Sequence, residues 1–436
     1  MSFNAKKFLP VLLCLTIASC SSPKDLPTGQ RISIMDTPSL SNVSAIKKAE
    51  IHLSAPIDML VWSQTGSNAA HLNQNISVSS QAEKLFTLDF GKGSSKGNLL
   101  MAAPVVANDI VYIQNVQGTV TAFNLKDGKK LFSRKLHSLN KNDSASGSNG
   151  VGLAVDGTHL YALAGFGGVF ALDASSGEIV WRRDLNLPIR TAPTIADNLL
   201  FVQTINNQLF CLNAKDGTEI WRYNISAEDT VLAGGATPAF DATTDTVVSA
   251  FSNGELQAFN AKIGYPVWSQ DLINTTLLPS PIHAVKASPV IDNQIVYAVG
   301  SNAQTMAIKI ETGDVIWQAP VGGTSSPLVD KEVLFMVSSN YELLALDKKS
   351  GEIFWRSPIL GKTDFKHRRS VYIFAPLLLN DSIFVAASNG TIMRYDAKTG
   401  HLQSEDDIGH NIAVQPIAAD GSLILTTENA KLIIYR

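Results

Sequence analysis

One phrase recurs along this chain: Asp or Asn, three residues, Gly, three residues, Trp. It stands complete as Asp173, Gly177 and Trp181; as Asn213, Gly217 and Trp221; as Asn260, Gly264 and Trp268; and as Asp347, Gly351 and Trp355. A further copy has Lys309 in the first slot, before Gly313 and Trp317. Weaker copies flank the set, with Asn124, Gly128 and Phe132 before it and Asp396, Gly400 and Ser404 after it. Successive glycines lie from 38 residues (313 to 351) to 49 residues (128 to 177) apart. A period of this length marks a repeat architecture, in which each unit buries its apolar face only against its neighbours.

The unit reads as four short strands. Ala192-Pro193-Thr194-Ile195 opens one copy, and Asp197-Asn198 turns the chain into Leu199-Leu200-Phe201-Val202. Asn206-Asn207 makes the next turn, before Leu209-Phe210-Cys211-Leu212, and the Asn213 to Gly217 turn leads to Glu219-Ile220-Trp221-Arg222. These segments are too short, and too rich in β-branched and aromatic residues, for helices. The distance from the opening Pro to the Gly is 24 residues from Pro104, Pro193, Pro289, Pro327 and Pro376 alike. Four strands ending in Trp describe a β-propeller blade. The Gly suits a turn at positive φ, the Asp or Asn caps that turn through its side chain, and the Trp is expected to pack on the adjacent blade as structural glue.

Seven Gly turns give seven blades, and an eighth unit opens at Gln415-Pro416 without reaching a fourth strand before Arg436. The segment Lys84 to Phe90, directly before the first blade, is expected to supply that strand. The fold class is therefore an all-β, eight-bladed propeller. Pairing the two ends of residues 57–436 closes its ring and removes the free sheet edges of an open array.

Residues 1–19 read as a secretory signal, with Lys6 and Lys7 before the apolar stretch from Phe8 to Ile17. Ile17-Ala18-Ser19-Cys20 resembles a lipobox, which implies acylation of Cys20 and cleavage before it. Residues 20–56 are expected to be a lipidated N-terminus and flexible tether. Removing Lys6 and Lys7 takes the formal charge from −3 to −5, so nothing favours nucleic acid. Of the other cysteines, Cys14 leaves with the signal, and Cys211 reads as a small buried hydrophobe.

The search for chemistry returns little. The eight His residues form no zinc-ligand spacing, and no metal or cofactor is expected. Gly165-Phe166-Gly167-Gly168 is expected to form a close-packed inner strand. Lys366-His367-Arg368-Arg369 lies between the sixth and seventh blades and reads as a solvated loop. The repeat phrase resembles the tryptophan-docking motif of quinoprotein dehydrogenases, which carry pyrroloquinoline quinone and a metal ion over the propeller axis. A related enzyme is therefore the alternative reading. The adjacent Cys pair of many of those enzymes has no counterpart here, nor does a cluster of Glu, Asn and Asp stand out as calcium ligands.

Lipobox, tether, eight blades of this repeat and the terminal Ala418-Ala419-Asp420-Gly421 together resemble the BamB family, lipoprotein subunits of the outer-membrane β-barrel assembly (BAM) machinery. Val61-Trp62-Ser63-Gln64, followed by Gly66, Asn68, Ala69, Ala70 and His71, is similar to a segment that precedes the first blade in one branch of that family. Trp62 and His71 are expected to act as a packed plug there rather than a site.

The resemblance implies a non-enzymatic scaffold without cofactors. It would be anchored through Cys20 to the inner leaflet of the outer membrane and would face the periplasm, a monomer within a hetero-complex. Its implied partners are a BamA-like barrel-inserting protein, other subunits of the machinery, and unfolded outer-membrane protein precursors. Family contacts come from the loops between blades three and four and between blades four and five. Here these are Thr230 to Thr237 and Leu277 to Ser288, with Thr230, Val231, Leu232, Ala233, Gly234, Leu277, Leu278, Ile282, Ala284 and Lys286 as the implied partner-binding residues. Two departures stand out. The family's Leu-x-Leu-Arg before Gly keeps only Leu232 and Gly234, with Ala233 in the place of Arg, and its Asp-x-Asp pair becomes Ala284-Val285-Lys286.

Overall fold

The computed structural model describes residues 50–79, 83–138, 150–225, 234–273, 285–301, 304–359 and 371–436. Its strands form eight four-stranded antiparallel sheets. Blades 1 to 7 span residues 105–135, 152–184, 194–224, 239–271, 290–319, 328–358 and 377–407. Blade 8 takes three strands from residues 417–435 and its fourth from Lys84–Asp89. That strand pairs antiparallel with Lys431–Tyr435, from Lys84 against Tyr435 to Asp89 against Lys431. Ring closure by the two ends of the propeller is thus observed.

The recurring phrase holds neighbouring blades together. Gly177, Gly217, Gly264, Gly313, Gly351 and Gly400 all have φ between +70° and +77°, a region that other residues enter only at a cost. The cap is present as expected: Asp173 Oδ1 accepts from the Ser175 and Ser176 amides, and Asn260 Oδ1 from those of Lys262 and Ile263. Over each Gly lies the aromatic ring of the preceding blade. A Cβ built on Gly217, Gly264, Gly313, Gly351 or Gly400 would lie 2.5–2.6 Å from Trp181, Trp221, Trp268, Trp317 or Trp355 respectively. Each indole Nε1 donates to a backbone carbonyl of that next blade, from Trp181 to Ala214 at 2.9 Å through Trp355 to Ala397 at 3.1 Å. Phe132 covers Gly177 in the same manner, and Phe86 of the closing strand covers Gly128.

The cores lie between adjacent blades, where second and third strands are mostly buried. Cys211 is one of these core residues, fully buried, with burial holding its thiol up at about 12. One expectation is corrected. Gly165 to Gly167 are the turn between the second and third strands of blade 2, not an inner strand, and Gly168 begins the third strand. The cause is local: Gly167 sits at φ +104°, and a Cβ there would meet the Leu187 carbonyl oxygen at 2.7 Å.

Candidate docking site at an axial cup

The inner strand of a propeller blade presents free backbone groups to the axis, and buried backbone groups need partners. Here the segment of residues 50–79 supplies them to seven blades and bonds the remaining one, blade 6, through a side-chain carboxylate. Trp62 exchanges both backbone hydrogen bonds with Val106 of blade 1, and the Ser63 carbonyl accepts from Val155 of blade 2. The Gln64 side chain bonds both the amide and the carbonyl of Ile195 in blade 3. The carbonyls of Ala69 and Ala70 accept from Phe240 and Ile291 of blades 4 and 5. Ser54 bonds Asp330 of blade 6, Ile76 bonds Leu378 and Asn380 of blade 7, and the Met59 carbonyl accepts from Asp420 of blade 8.

This is the plug expected of Trp62 and His71, and both are 2% exposed. It also begins earlier than the propeller boundary expected at residue 57. Ile51 is buried against blades 6 and 7, and His52 bonds Glu332, so residues 50–56 are held on the ring rather than free in the tether. Four amides served by the plug (those of Val106, Ile195, Phe240 and Ile291) stand two residues after the opening Pro of their blades.

The plug enters among the turns that follow the first strands and stops short of the opposite face. There it floors a cavity of about 450 Å³ whose wall comes from the residues leading into each blade. The wall has two sides. Blades 3 and 5 contribute Arg190 and Lys286, each three residues before an opening Pro, with Thr191, Thr237 and Ser288 beside them. Blades 7 and 1 contribute Tyr372, Phe374, Leu99 and Met101. Neither Arg190 nor Lys286 has a carboxylate partner among the described residues, and burial holds the Lys286 ammonium below the usual lysine value. The one carboxylate in the lining, Glu428 of blade 8, accepts from Asn411 at 2.9 Å.

His71 in the floor is tied through Nδ1 to the Pro289 carbonyl at 2.8 Å. A carbonyl only accepts, so Nδ1 carries the proton and Nε2 is a bare acceptor, without a partner among the described residues. Burial lowers its pKa to about 4, with the Pro289 bond opposing.

Of the implied partner-binding residues, Gly234 and Lys286 are described, and both line this cup. Thr230, Val231, Leu232, Ala233, Leu277, Leu278, Ile282 and Ala284 lie outside the described residues, as do Cys20 and Lys366 to Arg369. Sequence reasoning missed Arg190 and the apolar wall. The available signal was their register, since Met101, Arg190, Lys286 and Thr324 all stand three residues before an opening Pro.

Among the described residues no group of three or more His, Cys, Asp or Glu side chains converges on one point. The described lining of the cup holds one carboxylate, that of Glu428, where a divalent metal is ordinarily held by several oxygen ligands.

Comparison with known proteins agrees with this geometry. The chain is 26% identical over 357 residues to the outer membrane protein assembly factor BamB of Moranella endobia, covering 80% of this chain and 89% of that one. The crystal structure of BamB from Moraxella catarrhalis superimposes with a TM-score of 0.69 at 15% identity, covering 81% of this chain and 99% of that one. A quinohemoprotein alcohol dehydrogenase from Comamonas testosteroni shares the fold at a TM-score of 0.65 and 12% identity, over 86% of this chain and 80% of that one. The family model described as outer membrane protein assembly factor BamB matches residues 139–357, half of the sequence. With that match and a ring of eight four-stranded blades, the chain belongs to the BamB family of outer membrane protein assembly factors.

Proposed function

We propose that this protein is a non-enzymatic scaffold subunit of the outer-membrane β-barrel assembly machinery, docking a BamA-like partner through the rim of the cup. Residues 1–19 act as the signal and Cys20 as the acylated anchor in the inner leaflet, with the ring on the periplasmic side. The observation that carries the docking surface is convergence. The described ends of both implied contact loops, Gly234 and Lys286, line one cavity on one face of the ring. Long loops held by a rigid scaffold are where such folds place recognition. Leu232, Leu278 and Ile282 would form the apolar centre of the contact, inside a polar rim. Outer blade edges offer extended precursor chains a strand to pair with.

Detergent co-purification of the full lipoprotein, tagged after Arg436, tests the reading. Recovery of a BamA-like barrel protein, lost when Leu232→Glu and Leu278→Glu are combined in a folded variant, is the expected result. A protein that comes down alone, while a BamA-like protein stays intact in the same extract, would sink it.

A further inference from the structure

The cup's two walls differ in kind. On the blade 3 and blade 5 side stand two cationic side chains, Arg190 and Lys286, neither paired with a carboxylate among the described residues. On the blade 7 and blade 1 side stand Leu99, Met101, Tyr372 and Phe374, with Leu99 51% exposed and Tyr372 37% exposed. A partly buried ammonium with no counter-charge is costly, and folded proteins generally pair such groups. Lys286 shows that cost, since desolvation depresses its pKa and no carboxylate opposes the shift. Leu99 and Tyr372 are the exposed members of this wall, with Met101 half-buried and Phe374 buried behind them, and exposed apolar surface in a concavity marks a binding groove. Both deficits face the same space of about 450 Å³, within the ~300–1,000 Å³ of pockets that enclose small ligands.

We propose that the axial cup binds an amphipathic carboxylate, with its apolar body against Leu99, Met101, Tyr372 and Phe374 and its carboxylate between Arg190 and Lys286. The hydroxyls of Thr237 and Ser288 line the same cavity and suit the same anion as neutral donors, whereas that of Thr191 already donates to the Gln203 carbonyl at 3.2 Å. Glu428 keeps its negative charge but belongs to blade 8, across the ring from blades 3 and 5, where a hydrogen bond from Asn411 holds it. The plug makes the site possible. Without residues 62–73 as a floor the axis would be an open channel, with nothing to exclude water from the apolar wall. This inference does not depend on docking, because the ligand is held by the ring and plug of one chain.

The carboxylate has two possible sources, a free small acid or the C-terminal residue of a polypeptide, and the test separates them. The full-length chain in detergent is titrated calorimetrically with N-acetyl-L-phenylalanine and with its neutral amide. The acid is expected to bind at least ~10-fold more tightly than the amide, the lower end for a hydrogen bond to a charged group. The double variant Arg190→Gln, Lys286→Gln should lose that preference while keeping the parent's Tm, since neither side chain has an ion-pair partner to lose among the described residues. An N-blocked hexapeptide ending in Phe then assigns the source. Tighter binding than the single acid points to a chain terminus and weaker binding to a free acid, and either result requires the site. Equal affinity for acid and amide, no heat from the acid at its solubility limit, or a preference that survives the double variant would each overturn the proposal.

Discussion

Trp181 of blade 2 lies directly over Gly217 of blade 3: a Cβ on that glycine would sit 2.6 Å from the indole Cε3, closer than packed atoms approach. The same indole donates from Nε1 to the Ala214 carbonyl, three residues before the glycine. One residue type therefore opens the space, another fills it, and the pair is repeated from blade to blade. The spacing of the repeat phrase is the covalent record of this contact.

Gly217→Ala is expected to cost ~1–3 kcal/mol for the left-handed backbone alone, and more for the clash. Gly421 isolates the two effects. It has a similar φ of +68°, and nothing lies within 4 Å of where its Cβ would be. Urea unfolding should therefore show Gly217→Ala losing at least about 1 kcal/mol more than Gly421→Ala. Equal losses would mean that the indole yields freely and that the blade contact is soft.

This contact explains why the blades were legible in the sequence and the plug was only partly so. Gly and Trp mark each blade at a fixed spacing, so number, order and closure follow from counting. Residues 50–79 carry no period, because they answer the ring with backbone carbonyls and amides that any residue possesses, as at Ser63, Ala69 and Ala70. The glycines at 165–168 misled for a related reason: composition alone does not separate a strand that packs closely from a turn that needs positive φ. Of the cup, the sequence indicated Gly234 and Lys286 through family resemblance. Arg190 stayed hidden because its place on the wall depends on register against Pro193.

Gln64 is the plug residue whose side chain substitutes for a strand. Its amide bonds the Ile195 carbonyl at 3.1 Å, and its oxygen accepts from the Ile195 amide at 2.8 Å. Gln64→Leu keeps the volume but strands a buried backbone donor, at ~1–3 kcal/mol. Ser63→Ala is the paired control, because Ser63 serves blade 2 through its main chain and its hydroxyl bonds within the plug, to the Ser67 carbonyl at 2.9 Å. The control should cost clearly less in denaturant titration, and a reversed order would show that the plug contributes little to the ring.

Phe86 stands where five blades carry Trp, over Gly128 at the seam between the first and last blades. Phe lacks the N–H with which those five tryptophans bond the residue after the first position of the next blade's phrase, and here that residue is Leu125. Phe86→Trp is expected to raise stability by ~0.5–1.5 kcal/mol through one added hydrogen bond, measured as a higher urea midpoint at unchanged slope. A lower midpoint would mean that the seam lacks room for the larger ring. Blade 2 offers a second such position. There Phe132 covers Gly177, and the Ala174 carbonyl accepts from the Tyr112 hydroxyl at 2.9 Å, leaving room for an indole N–H as at Ala214, which accepts from both Tyr161 and Trp181.

His71 makes the plug sensitive to acid. Burial holds its pKa near 4, against 6.5 in the unfolded chain. Between those values the unfolded chain takes a proton that the folded chain refuses, so stability falls as pH drops from about 6.5 toward 4 and is fully present above that window. A depression of that size corresponds to roughly 3 kcal/mol across the window. Capped carboxylates add their own acid dependence lower down, as at Asp173, held at about 2 chiefly by the Ser175 hydroxyl. The His71 share is therefore best isolated as a difference between two proteins. His71→Asn tolerates the positive φ of 58° at this position, and its amide offers a donor for the Pro289 carbonyl. Urea unfolding of both proteins at pH 7 and pH 4.5 should show the parent losing more stability than the variant. Parallel losses would place a water or another donor on Nε2 and remove His71 as the source of the plug's acid sensitivity.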